Sequence, residues 1–328
     1  MEKKEKQKGV TLIALVITII VLIILAGITI SLIVGENGII SRAQEAGSET
    51  KKSQEKEAIS LAILNSQIQD KNYGMKVNKE MLEQDLKTQL GEKVDFTITA
   101  YNDISFFVNF IQSNNKYYID YDGTMIEKEN MIAINSAEDL KKFRDEVNSG
   151  NSYDGKLVYL TNDINLDINE EWEPIGLYLN NMPFKGMFDG CEHKIDYIRL
   201  DTANYKNQGL FGAVVEAKIK NLGIGANCII TGTSDKTGAI VGFLYQKSEI
   251  WNCYNMSNIS CNNLEVGGII GTTNLNCKIY NCYNTGNITG QTNVAGIIGN
   301  NLTGDVYQCY NTRNNYRNTR ENWRNSWK

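Results

Sequence analysis

Residues 267–299 read GGIIGTTNLNCKIYNCYNTGNITGQTNVAGIIG, a segment that ends on the motif with which it begins. The same motif stands earlier as GLFG from Gly209 and GAIVG from Gly238, and its equivalent AGIIG starts at Ala295. The closing glycines, Gly212, Gly242, Gly271 and Gly299, follow one another at intervals of 30, 29 and 28 residues. Between them a second block recurs in step as KIKNLGI, EIWNCYN, KIYNCYN and DVYQCYN, and a third as ANCIITG, MSNISC and TGNITG. A fixed period of about 28 residues marks an array of stacked units, each with room for two or three short strands rather than a helix pair. Glycines permit sharp corners at positive φ, and asparagines tolerate the same conformation. Stacked units place strand above strand at about 4.8 Å and bring equivalent side chains into ladders. The expectation for this part is a right-handed parallel β-helix, or β-solenoid.

Working outward, residues 133–150, AINSAEDLKKFRDEVNSG, open with Ser136 as a helix N-cap and Glu138-Asp139 in the first turn. Leu140, Phe143 and Val147 form one apolar stripe, which predicts a helix that caps the open end of the solenoid. The repeat blocks resemble GLUG repeats of bacterial surface proteins, including adhesin-like and IgA-protease-type ectodomains. The preceding stretch, AEDLKKFRDEVNSG…LTNDINL…FKGMFDG, resembles the module that leads into such repeats.

At the other end, Val10 to Val34 is a run of 25 residues without a charge, preceded by Lys3, Lys4, Lys6 and Lys8. A helix of that length spans a hydrocarbon core of about 30 Å, and the leading lysines favour a cytoplasmic start. The junction KG/VTLIALVITII resembles the leader of type IV pilins and pseudopilins. That resemblance implies prepilin-peptidase cleavage between Gly9 and Val10, with methylation of Val10. The family carries glutamate at the fifth mature position, and Ala14 stands there instead, against assembly into a pilus. Beyond Gly38 the helix formers of residues 39–68 read as a pilin-like stalk, Lys79–Leu90 as a second helix, and Asp95–Tyr101, Phe106–Gln112 and Lys116–Asp122 as strands of a small head.

The fold class expected is therefore α+β. A leader (1–9) precedes a transmembrane helix (10–34), a pilin-like stalk and α+β unit (35–130), a leading and capping module (132–208), repeats (209–311) and an irregular basic tail (312–328). In that tail ENWRNSWK, back-translated in a shifted frame, reads IGEIVG and restores a repeat glycine near residue 327; a frameshifted longer solenoid would have this signature.

Composition narrows the chemistry. The 328 residues carry 33 Lys+Arg against 38 Asp+Glu, a net charge of −5, which disfavours a nucleic-acid partner. One histidine, His193, excludes two-histidine metal sites, and it reads as a turn residue. Seven cysteines leave at least one unpaired. Cys253, Cys282 and Cys309 occupy one repeat position, where the first unit has Leu222, and so read as an inward apolar ladder. Cys277-x4-Cys282 is too loose for zinc. Asp163, Asp167, Glu170, Glu171 and Glu173 cluster in sequence but read as a solvated loop, and nothing concentrates the repeat acids. No enzyme, cofactor or metal is expected. Tyr254, Tyr283 and Tyr310 form a repeated polar-aromatic row, suited either to side-chain stacking alone or to an extracellular carbohydrate or protein ligand.

The function expected is a single-pass bacterial surface protein, residues 35–328 outside, displaying a β-solenoid for adhesion or surface structure. Its partners would be the membrane, prepilin peptidase and the ligand. Two alternatives stand beside it: a minor pilin or pseudopilin contacting filament subunits, and a surface β-helix carbohydrate-active enzyme.

Overall fold

The computed structural model describes residues 17–25, 39–69, 77–91, 94–102, 105–178, 181–201, 205–231, 235–262 and 264–317. The chain divides into two units, Met1–Glu127 and Lys128–Lys328.

In the first unit, helix α1 covers residues 17–25, α2 Ile39–Gln69 and α3 Lys79–Leu90. Strands β1 (Phe96–Asn102), β2 (Ser105–Phe110), β3 (Lys116–Ile119) and β4 (Met125–Glu127) form an antiparallel meander. Ala58, Ile59, Ala62 and Ile63 of α2 join Leu82 and Leu86 of α3 in a core shared with Val108, Phe110 and Ile119 of the sheet. Asn78 caps α3, accepting from the Met81 amide at 3.0 Å. Glu55 enters this core because three donors meet its carboxylate: Ser113 Oγ at 2.6 Å, Asn115 Nδ2 at 2.7 Å and Tyr117 OH at 3.0 Å.

Strand β2 ends at Phe110, not Gln112, because residues 111–113 turn the chain back toward β3; the Ile111 amide still donates to the Asp95 carbonyl at 3.0 Å, in step with the Phe96–Phe110 pairing.

The second unit is a β-solenoid of about six turns. All strand pairs named within it are parallel, and each complete turn carries five short strands rather than two or three. Lys218–Lys220, Gly223–Ile224, Ile229–Ile230, Lys236–Gly238 and Val241–Tyr245 make up one such turn. Strands of two to five residues suffice because each lies in register on its counterpart one turn away. Thus Lys218, Ile219 and Lys220 pair with Glu249, Ile250 and Trp251, which pair with Lys278, Ile279 and Tyr280. Ile219, Ile250 and Ile279 point inward and are fully buried; the interior continues through Leu222, Ile224, Ile230, Val241, Leu244, Ile270 and Ile288.

Helix α4 (Ala137–Asn148) begins with a reciprocal cap: Ser136 Oγ accepts from the Asp139 amide at 3.1 Å, and Asp139 Oδ2 accepts from the Asn135 amide at 3.0 Å. Its Leu140, Phe143 and Val147 enter the solenoid core, with Phe143 against Phe184 and Phe188 at 5.6 and 5.9 Å between ring centres.

Two expectations are corrected. The chain is mostly β with few helices, not α+β with a membrane-spanning helix, since every complete solenoid turn adds five strands and no helix. Among the described residues no helix is long and apolar enough to cross a membrane. Within the apolar run, residues 17–25 are helical. None of the described helices supplies the single-pass anchor expected from hydropathy over 10–34. Residues 10–16 and 26–34, the leader, Gly9 and Val10 lie outside the described residues.

Candidate functional site

The solenoid side that carries the KIYNCYN blocks is built by strict in–out alternation. In Lys278-Ile279-Tyr280 the isoleucine faces the core, so Tyr280 faces outward, and its partners Trp251 and Tyr307 do the same. The rings stack: Trp251 on Tyr280 at 3.9 Å, Tyr280 on Tyr307 at 4.8 Å. The chain then turns a corner on Asn221, Asn252, Asn281 and Gln308, all left-handed with φ of 51–52°. Asparagine accepts that backbone region better than most residues. The corner carboxamides also join, Asn252 Nδ2 donating to Asn221 Oδ1 at 3.0 Å and Asn281 Nδ2 to Asn252 Oδ1 at 3.1 Å.

Past the corner come the inward positions Leu222, Cys253, Cys282 and Cys309, then outward Tyr254, Tyr283 and Tyr310. These tyrosines stack at 5.2 and 5.3 Å with ring planes 8° apart. Gly223 stands at the start of the row because the Tyr254 ring leans over it; a Cβ there would meet Tyr254 Cζ at 2.2 Å. The result is two parallel aromatic ladders separated by a row of asparagines. The sequence made the Tyr254 ladder visible and missed the Trp251 one, although EIW, KIY and DVY repeat in step.

The stacking fixes what this surface offers. Ring faces cover one another along each ladder, so the edges and hydroxyls are what point outward. Among the described residues none of the hydroxyls of Tyr254, Tyr280, Tyr283, Tyr307 or Tyr310 has a hydrogen-bond partner. Burial, and then the neighbouring tyrosine, raise the pKa of Tyr254, Tyr280 and Tyr283, so these three stay donors across the neutral range.

The repeat glycines serve close approach. A Cβ on Gly271 would lie 2.6 Å from the Gly242 carbonyl oxygen and 2.7 Å from the Thr237 nitrogen. On Gly299 it would meet the Val266 nitrogen at 2.6 Å, on Gly242 the Gln208 nitrogen at 2.7 Å, and on Gly212 the Gly176 carbonyl oxygen at 2.5 Å. None of the four is left-handed; the left-handed positions in these turns are non-glycine residues, among them Asn221, Asn252 and Asn281 and also Glu216, Gln246, Lys247 and Leu275.

The remaining candidates disperse. His193 sits in a turn, its amide donating to the Gly190 carbonyl at 2.8 Å, and its Nδ1 lies 3.2 Å from Asp163 Oδ1. Asp163 also accepts from the Lys194 amide at 3.1 Å. Asp167 caps the Asn169 amide at 2.9 Å, Glu170 pairs with Lys141 at 2.5 Å, and Glu171 lies 3.9 Å from Arg199. Cys277 and Cys282 turn to different carbonyls, those of Asn274 and Tyr280. Among the described residues no three His, Cys, Asp or Glu side chains are grouped to hold a metal.

No family model matches the chain, and no curated protein matches it. The pilin-like and GLUG-like resemblances therefore rest on the quoted residues alone. Among solved structures the chain is similar to a putative immunoglobulin A1 protease from Bacteroides ovatus. The match has 16% identity and a TM-score of 0.42, over 62% of this chain and 83% of that one. Nothing about activity follows from a likeness of that size; the solenoid stands on its own strand pairing.

Proposed function

We propose that this chain is a bacterial surface protein whose β-solenoid serves adhesion, presenting the Trp251–Tyr280–Tyr307 and Tyr254–Tyr283–Tyr310 ladders to an extended polysaccharide. The observation that carries the reading is the row of outward tyrosine hydroxyls without partners among the described residues, repeated once per turn beside a row of asparagine carboxamides. A rise of about 4.8 Å per turn is close to the length of one pyranose residue. A glycan lying along the axis would then meet the same donors and acceptors at each sugar.

Binding without catalysis is favoured by how the repeat carboxylates are used. Glu249 lies 3.8 Å from Lys278 and Glu265 lies 3.9 Å from Lys236, each a charge paired with a neighbouring turn. Such pairing supports a stacking role rather than proton transfer.

Affinity electrophoresis through gels containing soluble β-glucan, mannan or mucin tests the proposal. Retardation by one of these is expected. The triple variant Tyr254→Phe, Tyr283→Phe, Tyr310→Phe keeps the stack, removes the hydroxyls and should weaken binding by about tenfold or more. Unchanged retardation in that variant, or none in any gel, overturns the reading.

A further inference from the structure

The inward cysteine ladder is a chemical feature that the adhesion reading does not use. Tyr254 pairs in register with Tyr283, and Tyr283 with Tyr310, so the residues just before them, Cys253, Cys282 and Cys309, lie one above another. Adjacent Cα atoms in such a stack are about 4.8 Å apart, inside the 4.4–6.8 Å window a disulfide accepts. Cys253 and Cys309, two turns apart at about 9.6 Å, fall outside it.

The three thiols share one orientation. Each Sγ lies against the carbonyl two residues back, that of Trp251, Tyr280 or Tyr307, at 3.1–3.2 Å. Each also lies 3.8–3.9 Å from a carbonyl of the preceding turn, that of Ile219, Ile250 or Ile279. Cys309 Sγ further accepts from the Cys282 amide at 3.4 Å, which places it beside its neighbour. The ladder is graded in access: Cys253 and Cys282 are fully buried, and Cys309 is half-buried.

We infer that this ladder is a dithiol site that closes to a single disulfide between Cys282 and Cys309 on exposure to a disulfide oxidant, stapling the turn that carries Tyr307 and Tyr310 to the one before it. Cys309 is the member an oxidant reaches. With oxidised glutathione, the Cys309 thiolate attacks one sulfur, the glutathione S–S bond breaks and one glutathione thiolate leaves. The Cys282 thiolate then attacks Cys309 Sγ, forming the protein disulfide and releasing the second glutathione. Two thiol protons and two electrons leave the protein, and one glutathione disulfide becomes two thiols.

Cys253 is left reduced and enclosed. Burial and then the contact with Cys253 raise the Cys282 thiol, while the contact with Cys282 and then burial raise the Cys309 thiol, so closure is slow at neutral pH and quickens about tenfold per pH unit while the thiolate is the minor form.

The test is to treat the folded, reduced full chain with oxidised glutathione, block remaining thiols and map peptides by mass spectrometry. A Cys282–Cys309 cross-link is expected, with amide exchange over Asp305–Asn311 slowed by about tenfold or more. In Cys282→Ser the Cys309 adduct with glutathione should persist. In Cys309→Ser, Cys253 and Cys282 should stay thiols until the chain is unfolded. A persistent glutathione adduct on Cys309 in the unsubstituted chain, a different cross-linked pair, no reaction at Cys309, or unaltered exchange would overturn the inference.

Discussion

Asn255 Nδ2 donates to Asn284 Oδ1 at 2.8 Å, from one solenoid turn to the next, with both side chains fully buried. Asn284 repeats the gesture, donating to Asn311 Oδ1 at 2.8 Å and to the Gly286 carbonyl at 2.8 Å, and accepting from the Gly286 amide at 3.2 Å. One side chain thus satisfies its own corner and links three turns. Removing it strands several buried partners at once, at roughly 1 kcal/mol for each bond and more for an orphaned group. Asn284→Ala should therefore cost about 3 kcal/mol, read as a lower urea midpoint at unchanged slope. A loss under about 1 kcal/mol would mean that water replaces the ladder.

Two glycines should answer the same substitution with opposite signs. At Gly271 a methyl group would press on backbone atoms of two other strands, the Gly242 oxygen and the Thr237 nitrogen, which cannot rotate away. Gly271→Ala should cost about 3 kcal/mol or more. Gly47 lies within helix α2 with nothing within 4 Å of the added Cβ, so Gly47→Ala should gain up to about 1 kcal/mol. Thermal unfolding of the two variants checks both signs.

These cases show what the sequence could and could not convey. Period and inward alternation are legible because every turn must return to the same corner; Leu222 in the place of Cys253 already marks that position as apolar. The glycines are legible as special but not in kind, since a sequence does not distinguish a left-handed corner from a close approach. Left-handed corners fall on Asn221, Asn252 and Asn281 and also on Glu216, Gln246, Lys247, Leu275 and Asn276, while Gly271 is there for space. The outer aromatic ladder was hidden because Lys220 occupies its place in the preceding turn, breaking the pattern where it would begin.

Lys220 is itself informative. It is buried with its Nζ 3.4 Å from Asp189 Oδ2, while Asp189 Oδ1 accepts from the Cys191 amide at 2.9 Å and Asn221 Nδ2 at 3.0 Å. Breaking a buried pair from one side leaves a charge in a low-dielectric site, at about 3–5 kcal/mol. Lys220→Met should show that loss. Adding Asp189→Asn, which keeps the Oδ1 acceptor and removes the charge, should recover most of it. A double-mutant cycle with no coupling would mean that the two charges are solvated separately.

The buried thiols make a last prediction, on pH. Burial pushes the Cys228 and Cys261 thiols up to about 12 and the Cys277 thiol up to about 11, and raises Cys282 well above its ordinary value. An unfolded thiol ionises near 8.5. Below that pH both states keep their protons and the thiols do not affect stability. Above it the unfolded chain has released protons that the folded chain still holds, so unfolding is favoured as pH rises. Each such thiol subtracts up to about 1.4 kcal/mol per pH unit until its folded value is reached. Under reducing conditions the urea midpoint should be level to about pH 8.5 and then fall steeply. Cys228→Ala and Cys261→Ala should each make that fall shallower, whatever they cost at neutral pH. A midpoint that stays level to about pH 10 would mean that the thiols ionise inside the folded solenoid.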